Sequence, residues 1–365
     1  MTALPTKKLE AWRYTDLRAL ERLSFGEVPA AAVPDLPAFA GPRVVFANGR
    51  MSQALSARLD HAQDFAPVQE HGPQSLAHIN AEQAQDGLTL SVPAGVDAGA
   101  LLMVSYNAGE MPFAAHLRHR ITLGANARLM LIELVKGDGV YWHNPVTDIS
   151  LHDGAVLTHI RLQQESAEAF NTTLIRANIA AGAGYEHFTA TIGAKLSRTE
   201  LHVSLLGEQA RTDLNAAQLL RGEQHGDFTA VVRHAAPNCA SRQTVKSVLA
   251  DEAHGVFQGR VEVAKGAQKT DGYQMSRALL LSDHATMDIK PELEIFADDV
   301  KCSHGATIGA LDAEQLFYLR SRGIDEPEAR AMLIHAFLEE AFAPVTDEAA
   351  HGLLIEAIGK WWTTP

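Results

Sequence analysis

The sequence predicts a mainly β protein whose helices are confined to its two ends. Three observations carry that prediction. First, short runs of alternating residues recur from about residue 93 to 300: Val156, Thr158, Ile160 and Leu162 fall in one phase, with His159, Arg161 and Gln163 in the other. Thr173, Ile175, Ala177 and Ile179 repeat the pattern, as do Leu201, Val203 and Leu205. A period of two belongs to strands. Second, Gly124, Gly154, Gly182 and Gly207 recur at steps of 30, 28 and 25 residues, a loose repeat of the size of one solenoid coil. Third, no long helical run separates these segments, which argues against a doubly wound α/β sheet. On pattern alone a parallel β-helix stands slightly ahead of a β-sandwich or a cupin-like barrel.

The first 92 residues read as a helical region with a proline-rich linker. Residues 7–23 place Leu9, Trp12, Leu17 and Leu20 on one face of an amphipathic helix that docks by its tryptophan. Pro29, Pro34, Pro37 and Pro42 then forbid a regular helix and make 26–43 an extended strap. A short strand over Val44–Ala47, an Asn48-Gly49 turn and helices near 51–60 and 74–85 complete the region. Residues 93–310 form the β core. It includes a turn and strand at 251–263, with Phe257, Val261 and Val263 on one face.

Residues 311–365 are helical. Asp312 and Gln315 are spaced as a capping box, and Gly323 stands where a C-terminal cap is expected. Asp325 caps the next helix, with Pro327 in its first turn and Ala329, Met332, Leu333, Ala336 and Phe337 on one face. Pro344 stops it, and Thr346 caps a last helix that carries Leu353, Leu354, Ala357, Ile358, Trp361 and Trp362.

Composition narrows the function. The net charge of −13 argues against nucleic acid or an anionic membrane as the main partner. Two cysteines make no disulfide framework, and no apolar run approaches the length of a membrane span. The N-terminus shows no apolar leader core. A soluble cytoplasmic protein is expected. No G-x-x-x-x-G-K-[ST] string is present, so direct ATP binding through a P-loop is not expected. G-x-S-x-G and G-x-G-x-x-G are missing too.

The chemistry concentrates between 290 and 324, where the period changes from strand-like to helical. Residues 293–296 extend, Asp298-Asp299 turn, and Val300–His304 extend again. Cys302 and His304, two apart on a strand, project from the same face. A thiolate beside an imidazole suits zinc or iron, but a tetrahedral site needs about four ligands. Cys239 lies 63 positions away. Either another chain completes the site, or Cys302 is a small apolar packing residue beside a satisfied histidine. Asp298-Asp299 form a poor acid–base pair, since adjacent strand residues diverge. Twelve of the 17 histidines lie from His116 to His304 without H-x-H or H-E-x-x-H spacing, and read mostly as polar-face or turn residues.

The string DDVKCSHGATIGALDAEQLFYLRSRGI (298–324) closely resembles the C-terminal signature of the SufB/SufD family of iron–sulfur cluster assembly proteins. PTKKLEAWRYTDL (5–17), DEAHGVFQGRVEV (251–263) and KTDGYQMSRALLLS (269–282) are similar to other stretches of that family. Gly272–Arg277 contains no cysteine where SufB-type members carry one, which favours the SufD-type branch.

The resemblance implies a right-handed parallel β-helix. It implies a non-enzymatic subunit that pairs its β-helix with SufB and docks the ATPase SufC on its C-terminal helices. It also implies a transient cluster or iron at the inter-subunit interface, with His304 as a ligand and Cys302 as a second ligand or an interface residue. The same resemblance leaves open a reduced flavin in the complex, and a homodimer through the β-helix edge is expected of the isolated chain. The alternatives are a β-helix or cupin-like metal-dependent enzyme using Cys302 and His304, and a purely structural adaptor.

Overall fold

The computed structural model describes residues 4–34, 36–71, 75–342 and 345–363. The alternating runs form the parallel β-helix expected of them, a solenoid of about 8 turns. Each coil gives one strand to each of two long sheets. The first runs through Asp97–Ala108, Arg128–Asp138, Val156–Gln164, Gly184–Thr191, Arg211–Leu220, Ala240–Leu249, Asp271–Leu280 and Lys301–Gly309. The second runs through Arg118–Leu123, Val146–Leu151, Phe170–Ile179, Leu196–Leu205, His225–His234, His254–Val263 and Thr286–Ile295.

Successive strands pair in parallel and in step, so one inward position repeats along the axis as a column. One such column is Leu131, His159, His187, Leu214, Gln243, Gln274 and His304. The next is Leu157, Tyr185, Thr212, Ser241, Gly272 and Cys302.

The turn glycines serve two different ends, which explains their uneven spacing. Gly182 holds a φ of +64°, where a side chain is strained. At Gly207 a Cβ would lie 2.0 Å from the backbone nitrogen of Ala181 in the coil before.

The two largest apolar clusters lie on either side of the first sheet. One fills the solenoid, with Ile121, Ile149, Ile175, Leu201, Val232 and Phe257 among its members. The other lies outside the first sheet, where Ile160, Leu162, Phe188 and Val248 meet Ile334, Leu338, Leu354 and Ile358 of the C-terminal helices Glu326–Phe342 and Glu348–Thr363. Val33, Leu36 and Phe39 of the strap join it. The two phases of 156–163 do lie on opposite faces: the apolar phase points outward beneath the helices, and His159, Arg161 and Gln163 point in. Each of these three is fully buried.

The N-terminal stretch is not one amphipathic helix over 7–23. It folds as a short 3₁₀ turn, Glu10–Trp12, and a single helical turn, Arg18–Glu21. Its anchors lie on different strands of the second sheet. The Ala11 carbonyl accepts from Gln258, Thr15 lies 2.9 Å from His225 and donates to Asp227, and Arg198 stacks on Trp12. A rigid helix could not reach all of them.

Residues 51–60 are likewise not helical. Asn48 and Gly49 both take positive φ and fold the strand Arg50–Met51 back on Arg43–Ala47, and the Ser56 hydroxyl accepts from the Val45 amide. The helix near 74–85 is Leu76–Gln83. Asp312 and Asp325 cap as expected, but Asp347 rather than Thr346 accepts from the last helix, at the Ala350 amide. Pro344 lies outside the described residues. Among the described residues no helix is long and apolar enough to cross a membrane.

Candidate functional site

Cys302 and His304 sit on the last strand of the first sheet, Lys301–Gly309, which pairs on one side only with Asp271–Leu280. Strand geometry turns both toward the solenoid axis, in step with Gly272 and Gln274 of the coil before. Among the described residues only helices follow this strand. Cys302 is therefore half-buried and His304 exposed, although the same columns are closed in earlier coils.

Cys302 packs with Val261, Val263, Ala297 and Val300. Gly272 leaves room beneath it: a Cβ there would lie 3.4 Å from the Cys302 sulfur and 3.7 Å from the Ser241 hydroxyl. Burial pushes the Cys302 thiol up, which favours the protonated form in the isolated chain. Cys239 is a different kind of cysteine. It is buried and donates to the Gly207 carbonyl at 3.2 Å, so it takes no part in the site. Among the described residues no group of three or more His, Cys, Asp or Glu is placed to hold a metal ion. Asp299 is engaged by Lys269 and forms part of a turn in which its backbone pairs with Lys269 and Gln268.

Around this pair the last coil presents an unusual surface. Both sheets end on strands with a free edge, Thr286–Ile295 and Lys301–Gly309. Ile295, Phe296 and Ile308 are exposed there. An exposed apolar sheet edge is a template for pairing with another chain. Farther along the chain, Phe317 and Tyr318 of the helix Ala313–Ser321 and Met332 of the following helix are also exposed. Phe317, Leu319 and Leu333 line an open groove of about 810 Å³ between these helices.

Of the twelve histidines from His116 to His304, seven are exposed or half-buried and five depart from the expected polar-face or turn positions. His119, His143, His159, His187 and His234 are buried rather than on a polar face or in turns. His159 lies 3.1 Å from Glu133, and the Tyr185 hydroxyl lies 3.2 Å from both His159 and His187. Burial alone would raise the Glu133 carboxyl, but the Arg161 guanidinium and His159 hold it well below its usual range. Burial pushes His187 down. The in-step recurrence of His159 and His187 at a spacing of 28, one coil, was the available signal.

Comparison with known proteins bears on this geometry. The SufBD core domain of the SUF system for iron–sulfur cluster assembly matches residues 104–337. The iron–sulfur cluster assembly protein SufD of Escherichia coli is 32% identical, over 98% of this chain and 89% of its own length. An iron–sulfur cluster assembly SufBD family protein of Synechocystis is 30% identical, over 97% and 87% respectively. The chloroplast protein ABCI7 of Arabidopsis thaliana is 35% identical over 72% of this chain and 58% of its own length.

Proposed function

The chain belongs to the SufBD family of iron–sulfur cluster assembly proteins, and from that premise we propose that it is a SufD-type scaffold subunit with no catalytic centre of its own. In this reading iron or a nascent cluster is cargo, held between two chains. His304 offers a neutral imidazole, Cys302 is a second ligand or lines the contact, and SufB supplies the thiolate that this chain lacks. The observation that carries the reading is the open end of the solenoid. An inward column that is buried in the preceding coils ends in an exposed imidazole beside a thiol, on a free sheet edge. Two ligands side by side leave a site incomplete, and a partner coil laid on that edge would bring the rest. The same edge supports a homodimer when the chain is alone.

The exposed Phe317, Tyr318 and Met332 support docking of the ATPase SufC on the C-terminal helices, since aromatic side chains are frequent anchors of interfaces. The chain has no P-loop string of its own, so ATP belongs to that partner.

The test is iron and acid-labile sulfide in the complex with SufB and SufC, with wild-type chain and with His304→Ala, each sized by gel filtration. Intact assembly with the cluster lost is the expected result. Intact assembly with the cluster retained would reduce the chain to an adaptor. Light scattering of the isolated chain at micromolar concentration checks the homodimer.

A further inference from the structure

One strand inward from His304, in the same column, stands Gln274, and one strand beyond that Gln243. Both are fully buried. In each, neither the amide oxygen nor the amide nitrogen has a hydrogen-bond partner among the described residues. Two complete amides without partners are costly inside a protein, where a leucine of similar size would be nearly neutral or better. The site is also kept open for the Gln274 amide. A Cβ at Gly259 would lie 3.1 Å from the Gln274 nitrogen and 2.5 Å from the Phe257 ring, and Gly259 carries none.

The neighbour with unmet needs is His304. Paired strands lie about 4.8 Å apart, so residues in step on one face are within side-chain reach. A histidine that holds a metal through one ring nitrogen donates from the other, almost always to a carbonyl, a carboxylate or water, and that second contact fixes the ring. Gln274, in step with His304 one strand inward, carries an amide oxygen that has no donor of its own.

We infer that Gln274 is a positioning residue for His304: its amide oxygen accepts from the inner imidazole N–H and leaves the outer nitrogen facing the open end of the solenoid, where the partner and the iron meet it. The inference rests on the reading of His304 as an iron ligand. Gln243 lies one strand too far to touch the ring, and serves as the internal control.

The test uses the complex with SufB and SufC, prepared without oxygen and titrated with Fe(II) alone. Gln274→Leu is expected to weaken Fe(II) binding by about tenfold to a hundredfold. Gln274→Glu, which keeps an acceptor, restores it, and Gln243→Leu leaves it unchanged. Gln274→Leu is also expected to leave the thermal midpoint of the isolated chain unchanged or raised, a sign that a purely structural amide would not give. In complexes that carry a reduced cluster, pulsed EPR should show the remote imidazole nitrogen shifted in Gln274→Leu. Wild-type Fe(II) affinity in Gln274→Leu, equal losses in Gln243→Leu, failure of Gln274→Glu to rescue, or a lowered thermal midpoint each overturn the inference. His304→Ala in the same titration separates the two claims. If it alone weakens binding, the positioning role fails and the ligand stands; if it binds iron like wild type, the ligand reading fails.

Discussion

Leu131, His159, His187, Leu214 and Gln243 occupy in successive coils the inward position that His304 holds in the last, and all five are at most 1% exposed. His304 has the same backbone, the same pleat and the same pairing on one side, yet it is exposed. The difference is a missing neighbour. In a solenoid each coil contacts only the coils beside it, so a middle residue is covered from both sides and a terminal one from one side. A position that is covered in the middle is open at the end. The last coil carries an unpaired strand edge that the middle coils do not have.

The largest test of that contrast is in the middle. Phe257 is buried inside the solenoid against Phe228, with ring centroids 6.3 Å apart. Phe257→Ala should cost about 3–5 kcal/mol in urea unfolding. A loss below about 1 kcal/mol would mean that the middle coils are no better packed than the end.

Acidification should also act on the middle. Burial pushes His119 down to about 4. An unfolded histidine titrates near 6.5, so between those values the unfolded chain binds a proton that the folded chain does not. Stability is therefore full above about pH 6.5 and falls as pH drops toward 4, by roughly 3 kcal/mol for this one group. Denaturant midpoints at pH 7.5 and 5.0 check it. A flat profile would remove buried neutral histidines from the picture of the interior.

At the open end the expected stability effect is small and the association effect large. Ile308→Lys should change unfolding of the isolated chain by less than about 0.5 kcal/mol, because the side chain is 47% exposed. It should abolish self-association in light scattering and weaken pairing with SufB. Unchanged association would move the contact off this edge. The two thiols give the smallest and simplest reading. Cys302 should react with a thiol reagent at least about tenfold faster than Cys239, which is only 1% exposed, and pairing should protect it.

How much of this was written in the chain can be seen residue by residue. The period of two, the turn glycines and the C-x-H string were enough for the strands, the coil repeat and the shared face of Cys302 and His304, because alternation and turn conformation are local properties. The inside of the coil was not legible at 156–163. Ile160 and Leu162 are apolar because helices some 170 to 200 positions later cover them, while His159 and Arg161 lie inside with Glu133 and Tyr185. Hydrophobicity marks a buried face but not which body buries it. The amphipathic spacing of 7–23 misled for a related reason, since its anchors were set by strands some 180 to 250 residues away.

Residue order alone was sufficient for a repeating β protein with helical ends and for Cys302 and His304 sharing one face. Those features follow from backbone sterics and residue order alone. That this face is the open end of a filled solenoid, with Gln274 in step one strand inward of His304, came from the folded structure alone. That outcome depends on how many coils stack, which strands fall in step, and where the stacking stops.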